Sequence, residues 1–175
     1  MRNKLLLFFI PGLLAINLFC NSCKKDTNSN IPHLLSTGTW QLASILVYHY
    51  TGNSQNGDPD TLNTTCLKDQ FFTFKSDNTC SYTNFACLAQ TTTGTWTLTE
   101  NKLYFASDMV AKDTIAGGNG STTTVKPFTN TQITTLGVYS LVLQTGDVEP
   151  NYSATKKRTV VRYGFIKQKA TTITN

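Results

Sequence analysis

Residues 71–83 read FFTFKSDNTCSYT, and this stretch decides the fold of the chain. Apolar and polar side chains alternate in Phe72–Lys75 and again in Thr79–Thr83, which is the period of a half-buried β-strand. Ser76-Asp77-Asn78 lies between the two runs and has the composition of a tight turn. The stretch therefore predicts a β-hairpin.

The same alternation recurs on both sides of this hairpin, with turn residues between the segments. Thr is abundant, aromatic residues are frequent, Glu is scarce, and long helical patterns are missing, so the composition is typical of an all-β domain. Short alternating runs at regular intervals are typical of a β-sandwich or a β-barrel. We predict eight strands: Thr39–Tyr50, Phe72–Lys75, Thr79–Thr83, Thr93–Thr99, Lys102–Ala106, Thr131–Leu136, Tyr139–Gln144 and Thr159–Lys167.

Two connections are longer than a compact β domain needs, residues 51–69 and 107–130. The second contains a Gly-rich tip at residues 117–121, which would join a ninth and a tenth strand, Met109–Ile115 and Thr122–Pro127. Such loops either guard the mouth of a barrel or decorate its surface.

The N-terminus has the pattern of a processing segment. A basic start precedes the apolar run Leu5–Phe19, which is too short to span a bilayer, and Ser22-Cys23 follows. The pattern resembles a bacterial lipobox with Cys23 as the lipidated residue, the alternative being an ordinary cleaved signal. We therefore expect a signal peptide at 1–22, a lipidated Cys23 with a polar tether at 23–32, a domain at 33–168 and a tail at 169–175. The expected location is the cell envelope, with the lipid anchored in the outer membrane.

Two Gly-Thr-Trp motifs carry a family resemblance. Gly38-Thr39-Trp40 opens the first strand, Gly94-Thr95-Trp96 opens the fourth, and Phe72–Thr79 matches the second hairpin of the same family. The chain resembles a bacterial lipocalin-like domain lipoprotein. That resemblance implies an eight-stranded up-and-down antiparallel β-barrel of the calycin type. A barrel of this size is either filled by side chains or holds one small ligand.

The resemblance also suggests roles for particular residues. Gly38 and Gly94 would let the backbone pass close to the barrel, and Trp40 and Trp96 would fill its closed end, as core rather than as ligand contacts. In typical lipocalins a basic residue packs over the first tryptophan, and Arg158 or Arg162 is the candidate here. The inward-facing ligand candidates are Leu46, Tyr48, Phe72, Phe74, Tyr82, Phe105, Tyr163 and Phe165.

Three cysteines follow Cys23, and an exported protein is expected to pair two of them. Of the three possible pairings we favour Cys66–Cys87, which would join the outer ends of the hairpin, and leave Cys80 as a buried thiol. No Cys-x-x-Cys or His-x-x-x-His spacing accompanies these three cysteines, so we expect no metal site.

The sequence gives little indication of catalysis. The two histidines, His33 and His49, have no carboxylate near them in sequence, and no nucleophile elbow or phosphate-binding loop is present. We expect no enzyme activity and no cofactor; an enzyme would require His49 to meet a carboxylate across the sheet.

The net charge of the whole chain is +5, and basic residues concentrate in the last twenty positions. This basic stretch either meets anionic lipid or acidic glycan, or is a solvated strand face; no nucleic acid partner is expected. Asp60-Thr61-Leu62 and Asp113-Thr114-Ile115 resemble a periplasmic O-glycosylation acceptor, with Thr61 and Thr114 as the modified residues.

Two functional hypotheses follow. The first is a lipid-anchored barrel that binds a small apolar or amphipathic ligand without catalysis. The second is an accessory envelope lipoprotein whose filled barrel binds a protein or a glycan. The sequence does not indicate an oligomeric state.

Overall fold

The computed structural model describes residues 30–62, 66–114, 121–148 and 153–168. A six-residue helix, α1 (Ile31–Ser36), has Pro32 in its first turn and precedes the strands. Single 3₁₀ turns occupy Leu67–Asp69 and Phe85–Cys87. The strands are β1 Thr39–Thr51, β2 Ser54–Gln55, β3 Asp60–Thr61, β4 Phe71–Phe74, β5 Thr79–Thr83, β6 Thr91–Leu98, β7 Tyr104–Ser107, β8 Ala111–Thr114, β9 Thr122–Val125, β10 Thr131–Leu136, β11 Ser140–Gly146 and β12 Lys157–Lys167.

Eight of these strands close into an antiparallel barrel. Their order is β1, β4, β5, β6, β7, β10, β11 and β12, and β12 pairs back with β1. Each barrel strand pairs with the barrel strand that follows it along the chain, so the topology is up-and-down throughout. The predicted eight-stranded barrel is confirmed. The short strands β2 and β3 pair with β1, and β8 and β9 form a separate hairpin.

The two ends of the barrel differ. One end carries α1, the start of β1, the end of β12, and the turns that join β4 to β5, β6 to β7 and β10 to β11; we call it the closed end. The other end carries the β8–β9 hairpin and the disulfide between Cys66 and Cys87; we call it the mouth. Inward-facing side chains of all eight strands form one continuous core between the two ends.

A β-bulge in β1 changes which side chains face the core. Leu42 pairs with Phe165 and Ser44 pairs with Gly164, so Ala43 is an extra residue between two register positions. Because side chains alternate with a period of two, one extra residue moves every later side chain to the other face. Ile45 therefore packs against the core instead of Leu46.

The predicted inward positions of Leu46 and Tyr48 are wrong for this reason. Leu46 lies opposite Arg162 on the outer face, and the Arg162 guanidinium lies 4.2 Å from the centroid of the Tyr48 ring. Before the bulge, the alternation holds, and Trp40 and Leu42 are buried as expected.

The predicted domain limits stay a prediction. Helix α1 begins at Ile31, two residues before the predicted limit at position 33. The predicted signal peptide, Cys23, most of the tether and the tail at 169–175 lie outside the described residues.

Candidate functional site

Aromatic side chains fill the middle of the barrel. Phe72 lies at the centre of this group, with its ring centroid 4.1 Å from that of Phe74, 5.1 Å from that of Tyr82 and 6.2 Å from that of Phe165. Phe72, Phe74, Tyr82, Phe105 and Phe165 are all fully buried, and Tyr163 packs against them. Six of the eight predicted ligand candidates thus line the interior, while Leu46 and Tyr48 do not.

The connection from β7 to β10 contributes further core residues. We call residues 108–130 the plug segment; its residues 115–120 lie outside the described part of the chain. Phe128 has no exposed surface, and its ring centroid lies 4.9 Å from that of Phe72 and 5.4 Å from that of Tyr163. Met109, near the other end of the segment, is also buried. The long connection therefore folds into the barrel mouth and does not merely decorate it.

Sequence reasoning missed Phe128 and Met109 as core residues. Met109 opens the predicted ninth strand and Phe128 directly follows the predicted tenth, so neither lies inside a longer alternation that would mark it as core. The one available signal is that a large aromatic residue is unusual in an exposed Thr-rich connection.

The second Gly-Thr-Trp motif explains how the plug segment enters. A Cβ atom on Gly94 would lie 2.6 Å from Asp108 Oδ1 and 2.8 Å from the Met109 nitrogen, so only glycine leaves room for the crossing chain. The Asp108 carboxylate accepts hydrogen bonds from the Thr95 backbone N–H at 2.6 Å and from Thr95 Oγ1 at 3.0 Å. These two bonds lower the pKa of Asp108 below its ordinary value. The Trp96 side chain belongs to the barrel core, and its Nε1 donates a hydrogen bond to the Lys75 carbonyl.

The first motif shapes the closed end. Gly38 has φ +114°, a conformation that favours glycine, and lets the chain turn from α1 into β1. The Trp40 ring is fully buried, and its Nε1 donates to the Leu35 carbonyl at 2.9 Å. Lys167 Nζ lies 4.6 Å from the Trp40 ring centroid.

Lys167 is thus the basic residue over the first tryptophan, and the expectation that named Arg158 or Arg162 is wrong. Both arginines have the opposite strand parity from Phe165 and lie on the outer face, over Tyr50 and Tyr48 respectively. Lys167 shares the inward parity, and desolvation lowers its pKa.

A buried polar chain links the core to the disulfide at the mouth. Tyr82 donates its hydroxyl to Gln70 Oε1 at 3.3 Å, and Gln70 Nε2 donates to Cys66 Sγ at 3.3 Å. Cys66 is bonded to Cys87, the pairing favoured from the sequence, and Cys80 is a buried free thiol.

Two more polar groups face the part of the core that is nearest the mouth. Thr131 Oγ1 is buried and has no hydrogen-bond partner in the part of the chain that the structure describes. Burial, with a smaller contribution from the Asp113 carboxylate, raises the pKa of Tyr163 to about 12. The region below the plug segment is therefore apolar with a few polar positions at its wall, the usual composition of a small-molecule site.

His49 does meet a carboxylate across the sheet. Its Nε2 lies 3.1 Å from Asp60 Oδ2, and its Nδ1 lies 3.5 Å from Thr159 Oγ1. The side chains of His49 and Asp60 are 47% and 69% exposed, so water screens the pair. The contact fastens β3 to β1, since Asp60 lies opposite Val47 in the ladder.

Several expected sites lie on the surface or outside the described residues. Thr61, in β3, and Thr114, at the end of β8, are both exposed, and their modification stays a prediction. No group of three or more His, Cys, Asp or Glu side chains suited to a metal occurs among residues 30–62, 66–114, 121–148 and 153–168. Over the same residues, no helix has the length and apolar character needed to cross a membrane.

The comparisons with known proteins agree with the architecture. The family model described as a lipocalin-like domain matches residues 37–136, which extend from the first Gly-Thr-Trp motif through β10. No curated protein matches the chain. The matched residues cover more than half of the sequence and six of the eight barrel strands, so the chain belongs to the lipocalin-like domain family.

Proposed function

We propose that this chain is a cell-envelope lipoprotein, anchored through a lipid on Cys23, whose barrel binds a small apolar or amphipathic molecule without changing it chemically. The family membership supports a binding barrel, and the processing pattern in residues 1–26 supports the anchor. The expected location is the outer membrane.

The observation that carries the binding proposal is the position of Phe128. This ring fills the upper barrel, yet it belongs to a connection and not to a barrel strand. A connection can withdraw without breaking any strand pair of the barrel, and the rings of Phe72, Tyr82 and Phe105 would then line the vacated space. A ligand with one apolar ring system would take the place of Phe128, with Thr131 Oγ1 available to a polar group.

Replacing Phe128 tests this site. Phe128→Ala removes the ring and costs about 3–5 kcal/mol of folding free energy, since it leaves a cavity in the core. Phe74→Ala is the matched control, because Phe74 is equally buried but lies at the closed end. Binding of a fluorescent apolar probe is measured by titration for the wild-type chain and both variants.

We expect the wild-type chain to bind the probe, Phe128→Ala to bind it more tightly, and Phe74→Ala to bind it as the wild type does. Native mass spectrometry of the wild-type chain should also detect a bound small molecule. A wild-type barrel that binds no probe and carries no molecule, while only Phe128→Ala binds, contradicts the proposal.

The anchor has its own test. Cys23→Ser should release the chain from isolated membranes, and the intact mass of the unchanged protein should exceed that of the polypeptide by a lipid. The same mass measurement, repeated on Thr61→Val and Thr114→Val, detects glycans on these residues. A membrane-bound Cys23→Ser chain would refute the anchor.

A second candidate function is supported by the outer face. The Arg162 guanidinium lies 4.2 Å from the centroid of the Tyr48 ring on the neighbouring strand, and both side chains are partly exposed. Aromatic rings beside guanidinium groups are typical of surfaces that bind proteins or acidic glycans. An accessory lipoprotein with a filled barrel would bind its partner through this face. Chemical crosslinking tests this function: partners that are recovered with the wild type and with Tyr139→Ala, but lost with Tyr48→Ala, would favour it.

A further inference from the structure

The exposed large apolar side chains are concentrated at the closed end. Leu103, Val138, Tyr139 and Ile166 are 49%, 57%, 64% and 48% exposed, and they come from three separate segments of the chain. Among the described residues, the other two exposed large apolar side chains are Leu62 and Val110. Val110 belongs to the plug segment at the mouth.

Backbone contacts show that these four residues surround one end of the barrel. The Lys167 N–H donates to the Tyr139 carbonyl at 3.0 Å, and Ile166 lies opposite Ser140 in the β11–β12 ladder. Leu103 lines a groove of about 400 Å³ between α1 and β10, together with Ile31 and Leu136. The four side chains therefore form an apolar rim around the place where the chain enters the domain.

The length of the tether limits the distance between the lipid anchor and this rim. Seven steps along the chain separate Cys23 from Asn30, and an extended chain covers at most about 3.5 Å per residue, so the anchor lies within about 25 Å of α1. The mouth is farther by the height of the barrel: β1 has 13 residues, and a tilted strand of that length rises roughly 30 Å.

The charges at the closed end fit a lipid surface. Lys75, Lys102 and Lys167 lie there with Asp77 and Glu100, so the described charges are mixed and slightly basic. Tyrosine and lysine beside aliphatic side chains are the usual composition of a protein surface at the membrane interface, where the ring enters the headgroup layer and the ammonium stays in water.

We propose that the closed end rests on the bilayer, with Leu103, Val138, Tyr139 and Ile166 in the headgroup region and the mouth directed away from the membrane. This inference rests on the proposed anchor at Cys23. It assigns to the barrel a fixed orientation, in which a ligand or partner reaches the mouth from the aqueous side.

Tryptophan substitutions test the orientation. Tyr139→Trp places a fluorophore on the rim, and Val110→Trp is the matched control, since Val110 is 44% exposed at the mouth. Both full chains, lipidated on Cys23, are reconstituted into vesicles of phosphatidylethanolamine and phosphatidylglycerol that contain a brominated phosphatidylcholine as a contact quencher. The wild-type chain gives the background from Trp40 and Trp96.

We expect Tyr139→Trp to lose a large part of its added emission and to shift to the blue, while Val110→Trp keeps its emission. Equal quenching of the two variants, or stronger quenching of Val110→Trp, overturns the inference. The same variants on the Cys23→Ser background are then added to these vesicles, and Tyr139→Trp should again be the more strongly quenched.

The Cys23→Ser experiment distinguishes a failure of the proposed anchor from a failure of the proposed orientation. A chain that carries no lipid refutes the proposed anchor, while the Cys23→Ser pair still decides whether the rim contacts a bilayer. If the Cys23→Ser chain is instead a dimer in solution and Tyr139→Asp makes it a monomer, the rim is an interface between two copies and the inference is overturned.

Discussion

The ammonium group of Lys167 lies 4.6 Å from the centroid of the Trp40 ring and joins the last barrel strand to the first. Lys167 Nζ also donates to the Leu34 carbonyl and to Thr37 Oγ1, both at 3.0 Å. One side chain thus holds α1, β1 and β12 together at the closed end.

Lys167→Met keeps the length of the side chain and removes its charge and both hydrogen bonds. We expect a loss of about 1–2 kcal/mol in the free energy of unfolding, from the cation–π contact and the two bonds. Urea unfolding measures it, with Lys157→Met as the control, because Lys157 is exposed at the start of β12. Equal stability of the two variants would show that the contact over Trp40 contributes nothing.

Gly94→Ala should destabilise the barrel by about 2–3 kcal/mol, because the added methyl group meets the backbone of Met109 and forces the plug segment outward. Gly137→Ala is the control, since its Cβ would meet the Ser140 hydroxyl at 3.0 Å, a group that can rotate, and the Ser140 carbonyl oxygen only at 3.9 Å, an ordinary contact. Thermal unfolding compares the two. A Gly94→Ala chain as stable as Gly137→Ala would contradict the close crossing.

Removing the disulfide should cost about 3 kcal/mol, because Cys66 and Cys87 close a loop with a sequence separation of 21. The variant Cys66→Ser/Cys87→Ser is compared by urea unfolding with Cys80→Ser, which keeps the bond. Peptide mapping without reductant should recover the 66–87 crosslink, and a crosslinked peptide containing Cys80 would refute the pairing.

Tyr163 should make the folded state sensitive to alkaline pH. Its pKa is about 12 in the folded chain and about 10 when unfolded, so between these values the folded chain holds the proton that the unfolded chain has lost. The stabilisation is complete below pH 10 and is lost as the pH rises to 12, by about 2–3 kcal/mol in total.

Urea unfolding at pH 9, 10, 11 and 12 measures this loss. Tyr163→Phe removes it, so the stability of that variant should fall less steeply than that of the wild type. Tyr139→Phe, at an exposed position, should follow the wild-type curve. If both variants show the same slope, Tyr163 is not the group responsible.

The sequence was sufficient for the barrel because its strands alternate regularly. Phe72, Phe74 and Tyr82 face the core as the period of two requires, and the turn at 75–78 joins them as its residues predict. The pairing of Cys66 with Cys87 followed from the same hairpin, whose outer ends meet at the mouth.

The sequence could not predict the contacts that depend on exceptions to the alternation of inward and outward side chains. The extra residue in β1 carries no local signal, since Ala43 and Ser44 fit a regular strand as well as a bulge, and it turned Leu46 and Tyr48 outward. Phe128 reaches the core from a connection, where no period applies. Both errors concern the upper barrel, the region where the ligand proposal lies.

The ladder between β1 and β12 has consequences for the order of events during synthesis. Its eleven residue pairs join the first strand of the chain to the last, and without them the sheet remains an open ribbon with two unpaired edges. A nascent chain cannot complete this cylinder until residue 167 has been made. Until then the partly made sheet exposes edge strands, to which other polypeptides can add by strand pairing.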